Sequence, residues 1–282
     1  MNFKPPPLDY EYAIKRIKQF LRDFLSKSGV EGYVMGLSGG VDSSTVLHLA
    51  VEALGSNKVF VMIMPDPAVT PTQDVEDSIE LVKKLGVDYT VINIGSIVKA
   101  YKKTLPFFDE NSRIATGNLR ARIRMSTLYY FANKNRLAVL GTGDKSEILL
   151  GYYTKYGDGG VDLLPIGDVY KTQVRTMAKM LGVPLKIVNK PSSPRLWPGQ
   201  VAEEELGVKY EEVDTVLYCY VDLGMRVDEI IDKTGISKEK VVHIIRMVHG
   251  NEHKRLYPLI PRVSKHAISH DWRMPWYFKL DL

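Results

Sequence analysis

The stretch Tyr33-Val-Met-Gly-Leu-Ser-Gly-Gly-Val-Asp-Ser-Ser44, continued by Thr45-Val-Leu-His-Leu-Ala-Val-Glu-Ala-Leu54, decides the fold. The apolar run Tyr33 to Leu37 reads as a buried strand, a glycine pair follows, and Ser43 to Leu54 reads as a helix. Gly39 and Gly40 can take φ > 0, which would turn successive backbone N–H groups toward one point, and the helix N-terminus adds partial positive charge there. Such a turn holds a phosphate group. Ser38 and Ser43 offer hydroxyls, while Asp42 sets a carboxylate beside the phosphates, which calls for an intervening cation such as Mg²⁺.

The flanking sequence repeats the alternation. Val59 to Met64, Tyr89 to Ile94 and Leu137 to Leu140 are further apolar runs of strand length. Pro71 to Leu85, with Thr70 as N-cap and Gly86 as stop, and Thr116 to Asn133 read as helices. Strand and helix in turn predict right-handed β-α-β crossovers and an α/β fold: an open, doubly wound parallel sheet in a Rossmann-like three-layer arrangement. Ligands in such a fold bind beyond the carboxyl ends of the strands.

Asp9 to Leu25 adds an amphipathic helix with Ile14, Ile17, Leu21 and Leu25 on one stripe. On the helix from Thr116, Arg120 and Arg124 share a face, Arg122 points elsewhere, and Met125, Leu128, Tyr129 and Ala132 form the buried stripe. Gly157-Asp-Gly-Gly160 and Lys190-Pro-Ser-Ser-Pro-Arg-Leu-Trp-Pro198 read as irregular loops, and the rest of the second half as mostly helical. A single domain over 1–282 is expected, with 264–282 an extension of unassigned role.

Composition removes whole classes of function. Hydrophobic residues at 45% and charged residues at 25% exclude a disordered, collagen-like or coiled-coil chain. The 38 Lys+Arg against 33 Asp+Glu leave a net charge of +5, too mild to make nucleic acid the default partner. Cys219, the single cysteine, can form neither an intramolecular disulfide nor a cysteine metal cage and fits a reducing, cytoplasmic location. Neither a signal peptide nor a membrane span is legible.

Gly141-Thr-Gly-Asp-Lys-Ser146 matches neither Gly-x4-Gly-Lys-Ser/Thr nor Gly-x-Gly-x-x-Gly, which disfavours a Walker kinase or a Rossmann dehydrogenase. The pairs His249/His253 and His266/His270 have zinc-like spacing, but Gly250 and Asn251 interrupt the first and no cysteine completes either, so no zinc site is expected. Val227 to Arg246 has helix-turn-helix form with Lys238, Lys240, His243 and Arg246 available to phosphates, a nucleic-acid-binding alternative that the weak net charge opposes.

The loop Gly36 to Ser44 resembles the pyrophosphate-binding loop of the N-type ATP pyrophosphatases. Further blocks in matching order narrow this to the NAD synthetase family. They are Asn118 to Met125, Gly141 to Glu147, Gly151 to Pro165, Tyr170-Lys-Thr-Gln-Val-Arg175 and Glu252-His-Lys-Arg255. The resemblance runs from Asp9 to Pro261. It implies the adenine nucleotide alpha hydrolase-like version of the fold, Mg²⁺ ligands at Asp42 and Glu147, and ATP contacts at Gly36, Leu37, Ser38, Gly39, Gly40, Val41, Asp42, Ser43, Thr142, Lys171 and Ser193. Deamido-NAD contacts fall on Arg122, Lys155, Asp162, His253 and Lys254, and Lys171 supplies charge to the reacting phosphate.

The reaction so implied is a ligase reaction. A nicotinate carboxylate attacks the α-phosphate of ATP, pyrophosphate leaves, and ammonia displaces AMP from the acyl-adenylate. Asp158 is assigned, as a hypothesis, to accept or orient the proton that ammonium must lose. Glutamine-using members carry an extra amidase domain with a cysteine nucleophile; Cys219, between Tyr218 and Tyr220 on an apolar helix, reads as core, so free ammonia is the expected donor. A homodimer acting on small molecules, without nucleic acid or membrane, completes the expectation. A tRNA-thiolating enzyme is the nearest alternative, disfavoured by the single cysteine. Two departures from the family pattern stand out: Asp144 where Asn is usual, and Lys190-Pro-Ser-Ser-Pro194, which weakens the match at Ser193.

Overall fold

In a computed structural model the described residues are 8–268 and 271–272. In chain order the first half runs α1 (Tyr10–Ser28), β1 (Gly32–Gly36), α2 (Val41–Leu54), β2 (Val59–Ile63), α3 (Thr72–Leu85), β3 (Asp88–Val91), α4 (Gly95–Thr104), α5 (Arg113–Asn135) and β4 (Leu137–Leu140). The second half runs α6 (Lys145–Leu150), α7 (Lys171–Met180), α8 (Leu185–Val188), α9 (Ala202–Leu206), α10 (Tyr210–Leu217), a π-helical turn (Tyr218–Asp222), α11 (Val227–Thr234), α12 (Lys238–Gly250) and α13 (Glu252–Arg255).

The strands are parallel in the order β3-β2-β1-β4, with Tyr33 beside Val59 on one side and Ala138 on the other. Their apolar runs are nearly unbroken because both faces are covered. Tyr33, Met35, Val61 and Ile63 face a core built with Leu21, Leu47, Leu81 and Val174, whereas Val34, Met62 and Val139 face Val98, Ile123, Leu128 and Ala132. These are the outer layers of the expected doubly wound sheet. A third apolar cluster, with Leu150, Tyr210, Val213, Leu217, Ile230 and Ile244, forms a separate helical layer from α6 and α10–α12.

The sheet order places the ligand crevice. The chain steps from β1 to β2 to β3 on one side, then returns to add β4 on the other, so the connections after β1 and β4 diverge at the switch point where such folds bind ligands.

Local differences have identifiable causes. Thr70 does not cap α3: its Oγ1 accepts a 3.1 Å bond from Asp66 N, and Pro71 stands at the N-cap position. Ile92 and Ile94 leave β3 but still donate backbone bonds to Ile63 and Pro65. The capping residue of α1 is Asp9, which accepts from Tyr12 N at 3.0 Å.

The α11–α12 pair packs as a helix hairpin, burying Ile230, Val241, Ile244, Ile245 and Val248. Two of its basic groups are engaged internally, Lys240 with Glu212 at 2.7 Å and His243 Nε2 with the Leu206 carbonyl at 3.0 Å. Cys219 is fully buried in the helical core, as expected. Among the described residues no helix is long and apolar enough to cross a membrane. His270 and most of 264–282 lie outside the described residues.

Candidate active site

Gly39 adopts φ +74°, and a Cβ there would lie 2.5 Å from the Asp74 carbonyl oxygen, so only glycine fits. Gly40 differs from expectation: its φ is −92°, and it serves as the N-cap position of α2. The turn therefore uses one left-handed residue, not two. Ser43 Oγ accepts from Ser38 N at 3.3 Å and donates to the Gly40 carbonyl at 3.2 Å, fixing the loop's inner edge. No side chain caps α2, which leaves its first-turn N–H groups available to an incoming anion.

Asp42 lies in that first turn, beyond β1. Asp144 and Glu147 come from the turn beyond β4, where they form a capping box: Glu147 N donates to Asp144 Oδ1 at 2.8 Å, and Asp144 N reaches Glu147 Oε2 at 3.4 Å. Lys171, the first residue of α7, is fully buried among all three carboxylates. Its Nζ lies 2.8 Å from Asp42 Oδ2, 2.7 Å from Asp144 Oδ2 and 2.7 Å from Glu147 Oε1.

Burial alone would lower the lysine pKa, but Asp144, Asp42 and Glu147 together hold it well above its ordinary value. Burial raises the Asp144 and Glu147 carboxyls despite the opposing pull of Lys171. Mutual repulsion with Asp42 contributes to both shifts, so one ammonium does not balance three acidic side chains here among the described residues. Asp42 Oδ1, moreover, is buried with no hydrogen-bond partner. An all-oxygen donor set of this kind, with ligand atoms within 4.8 Å of one another, fits a hard divalent cation such as Mg²⁺. Sequence alone singles out Asp42 and Glu147, and the fold adds Asp144 to them. The signal was the Asp-for-Asn departure itself.

These groups face a cavity of about 240 Å³ lined by Gly36, Leu37, Ser38, Asp42, Ser43, Thr142, Glu147, Asp158 and Ser193. Lys171 lies beneath the carboxylates and has no exposed surface. Ser193 Oγ accepts from Arg195 N at 3.2 Å. Asp158 Oδ1 accepts from Thr154 N at 2.9 Å, and desolvation by the surrounding protein raises its carboxyl pKa against that bond and the nearby Arg124 and Lys254 charges.

The remaining predicted contacts do not line this cavity; four of them lie together beside the segment that follows α6. Arg122 Nη2 donates to the Lys155 carbonyl at 3.3 Å, Lys155 Nζ to the His253 carbonyl at 2.6 Å, and Lys254 Nζ to the Gly151 and Tyr153 carbonyls at 2.5 and 3.0 Å. The structure thus brings Arg122, Lys155, His253 and Lys254 into one basic group. Asp162 is held differently, accepting from Tyr129 OH at 3.0 Å and Val139 N at 2.8 Å.

Arg120 and Arg124 do share a face of α5. Arg120 Nε reaches Asp66 Oδ2 at 2.7 Å and Arg124 Nε the Met64 carbonyl at 3.0 Å, while Arg122 points away. Of the expected stripe, Leu128 and Ala132 are buried, whereas Met125 and Tyr129 are only partly covered.

Comparison with known proteins agrees with this geometry. The family model described as NAD synthase matches residues 13–258. The chain is 52% identical over 254 residues to the NH(3)-dependent NAD(+) synthetase of Staphylothermus marinus, covering 90% of this chain and 92% of that protein. It is 48% identical to the protein of the same name from Archaeoglobus fulgidus, covering 91% and 98%. Among solved structures, an NMN synthetase from Francisella tularensis aligns with TM-score 0.79 and 31% identity over 90% of this chain and 99% of that one. The NH3-dependent NAD synthetase from Campylobacter jejuni aligns with TM-score 0.76 and 29% identity, over 90% and 100%.

Proposed function

The chain belongs to the NAD synthase family, and from that premise we propose that it amidates deamido-NAD to NAD(+) with ammonia, converting ATP to AMP and pyrophosphate. The observation that carries this is the phosphate turn at Gly39, with Asp42 beside it beyond β1, meeting Asp144, Glu147 and Lys171 from the segments beyond β4.

The turn and the open N-terminus of α2 bind the outer phosphates, so that the α-phosphorus faces the substrate carboxylate. That carboxylate forms the new P–O bond, pyrophosphate departs, and the poor leaving group on the carbonyl carbon becomes AMP. Ammonia then forms the C–N bond and expels AMP, losing one proton. Asp42, Asp144 and Glu147 would hold Mg²⁺, which when bound offsets the phosphate charge. Lys171 keeps a fixed positive charge under those carboxylates and holds them in one arrangement. Thr142 and Ser193 line the nucleotide side of the cavity. Arg122, Lys155, His253 and Lys254 offer cationic and polar contacts to a dinucleotide pyrophosphate and nicotinate carboxylate, and Asp162, held by Tyr129 and Val139, offers an acceptor to the same substrate. Asp158, which lines the cavity, is suited to take the ammonium proton.

The same proposal includes one domain across 1–282 and a cytoplasmic homodimer with small-molecule substrates. The test is direct. Deamido-NAD, ATP, Mg²⁺ and an ammonium salt should yield NAD and AMP in equal amounts, with little turnover when glutamine replaces ammonium or nicotinate mononucleotide replaces the dinucleotide. ADP as product would overturn the assignment. Unchanged ammonia-dependent turnover in Asp158→Asn would remove that residue's role.

A further inference from the structure

Asp214 lies in α10, in the helical layer, is fully buried, and takes no part in the reaction as drawn above. A buried carboxylate is costly unless its oxygens are satisfied, and no Lys or Arg pairs with this one among the described residues. Its hydrogen bonds go to two places. Oδ1 accepts from Ser146 Oγ at 2.5 Å, and Oδ2 accepts from the backbone N–H of Thr172 at 2.8 Å.

Both places adjoin the charge cluster. Ser146 precedes Glu147 in α6, and Thr172 follows Lys171 at the start of α7. Ser146 Oγ also accepts the Lys171 backbone N–H at 2.9 Å. The direction of each bond is therefore determined. An amide can only donate, so the serine hydroxyl receives from Lys171 and must give its single proton to Asp214. One carboxylate thus ties the first turn of α7 to the turn carrying Asp144 and Glu147, and it does so from outside the sheet layers that supply Asp42.

The helix that carries Asp214 does not depend on it for packing. Val213, Val216 and Leu217 on α10 are fully buried in the helical core with Ile230 and Ile244. A group whose own helix is secured independently, and whose bonds all lead to the two segments bearing Lys171 and Glu147, acts on the placement of those segments.

We propose that Asp214 is a positioning residue for the amidation: through Ser146 and the first turn of α7 it sets where Lys171 and Glu147 stand relative to Asp42. The proposal rests on the assignment of the cluster given above.

The experiment is a double-mutant cycle on the full-length enzyme with Asp214→Asn and Ser146→Ala, reading kcat, both KM values and the thermal midpoint. Asp214→Asn keeps the side chain's size and one acceptor. It is expected to keep the thermal midpoint and the KM for deamido-NAD near the wild type. Its kcat should fall on the order of tenfold to a hundredfold, the loss typical of sub-ångström to ångström misplacement of catalytic groups. Ser146→Ala should show the same split, and the double variant should be no slower than the slower single, because both break one connection. Wild-type kcat in either single variant, a loss of thermal midpoint with kcat intact, or losses that multiply in the double variant would overturn the proposal. Should Asp214→Asn fail to fold, the kinetic split in Ser146→Ala decides alone. Wild-type turnover in the same assay tests the functional assignment separately: its absence fells both, whereas robust wild-type turnover with unaffected variants fells only the role of Asp214.

Discussion

Lys190 Nζ donates to Asp74 Oδ1 at 2.7 Å. The same ammonium reaches Asp77 Oδ2 at 2.8 Å and the Gly39 carbonyl at 3.1 Å, so a cation from the segment after α8 braces the phosphate turn against α3. Arg195 adds a 2.8 Å bond to Asp74 Oδ2, and Arg120 Nη1 holds the Leu196 carbonyl at 3.0 Å. The irregular stretch that sequence marks only as a proline-rich loop is thus tied down on both sides of the cavity.

Replacing Lys190 by methionine should cost about 3 kcal/mol of stability, since Asp74 and Asp77 stay buried and lose the cation they share, keeping Arg195 on Asp74 and Lys186 and Gln73 on Asp77. Urea unfolding followed by far-UV circular dichroism gives the number. The KM for ATP should rise as well, because the Gly39 carbonyl loses its donor.

The Asp77 carboxyl gives this brace a pH dependence. Burial would raise its pKa, but hydrogen bonds from Lys186, Lys190 and Gln73 prevail and bring it down to about 2. A carboxyl depressed in the native state from an unfolded value of about 3.9 stabilises the protein above that value and ceases to do so as pH falls toward 2. The stability gap between wild type and Asp77→Asn should therefore be flat from about pH 7 to 5 and shrink between about pH 4 and 2. A gap that shrinks instead above neutral pH would contradict this.

Gly39→Ala should abolish nucleotide binding. The left-handed conformation alone costs an L-residue about 1–2 kcal/mol, and the new Cβ would overlap the Asp74 carbonyl at 2.5 Å. Equilibrium binding of ATP and a lowered thermal midpoint should report the two effects together. Gly40→Ala is the control: at φ −92° its Cβ meets only Ser38 Oγ at 3.3 Å, and the loss should be small.

Asp144→Asn preserves an oxygen for the Glu147 N–H but removes one of the three charges around Lys171. The Mg²⁺ concentration giving half-maximal turnover should rise roughly tenfold, with the folded state retained. Titration with Mn²⁺ followed by water proton relaxation should show the same weakening in the absence of substrates.

Much of this fold is written locally. Leu137–Leu140 begins and ends where its apolar run does, and β1 is displaced by one residue, because strands buried on both faces carry no alternation to misread. Ile92 and Ile94 mislead because single backbone bonds to Ile63 and Pro65 hold them beside the neighbouring segment past the end of the ladder, although Ile94 has already turned into the N-cap of α4 at φ −78°, ψ −10°. At the site, Asp42, Glu147 and Lys171 are legible as members of separate blocks, but spacing alone does not encode their mutual contact. Asp144, Asp214 and Lys190 were harder still. Each works across layers, through partners such as Thr172 or Gly39 that no periodicity links to them.

The ion pair of Asp42 with Lys171 joins positions 129 residues apart in the chain. During synthesis at about 5–20 residues per second, the phosphate turn therefore leaves the ribosome seconds before the lysine that completes its charged floor. In that interval Asp42 is without the lysine that answers its charge. Ligation competence accordingly arrives late, and a nascent chain halted before Lys171 should carry neither the charged floor nor the Lys190 brace of the phosphate turn, and so no usable catalytic centre.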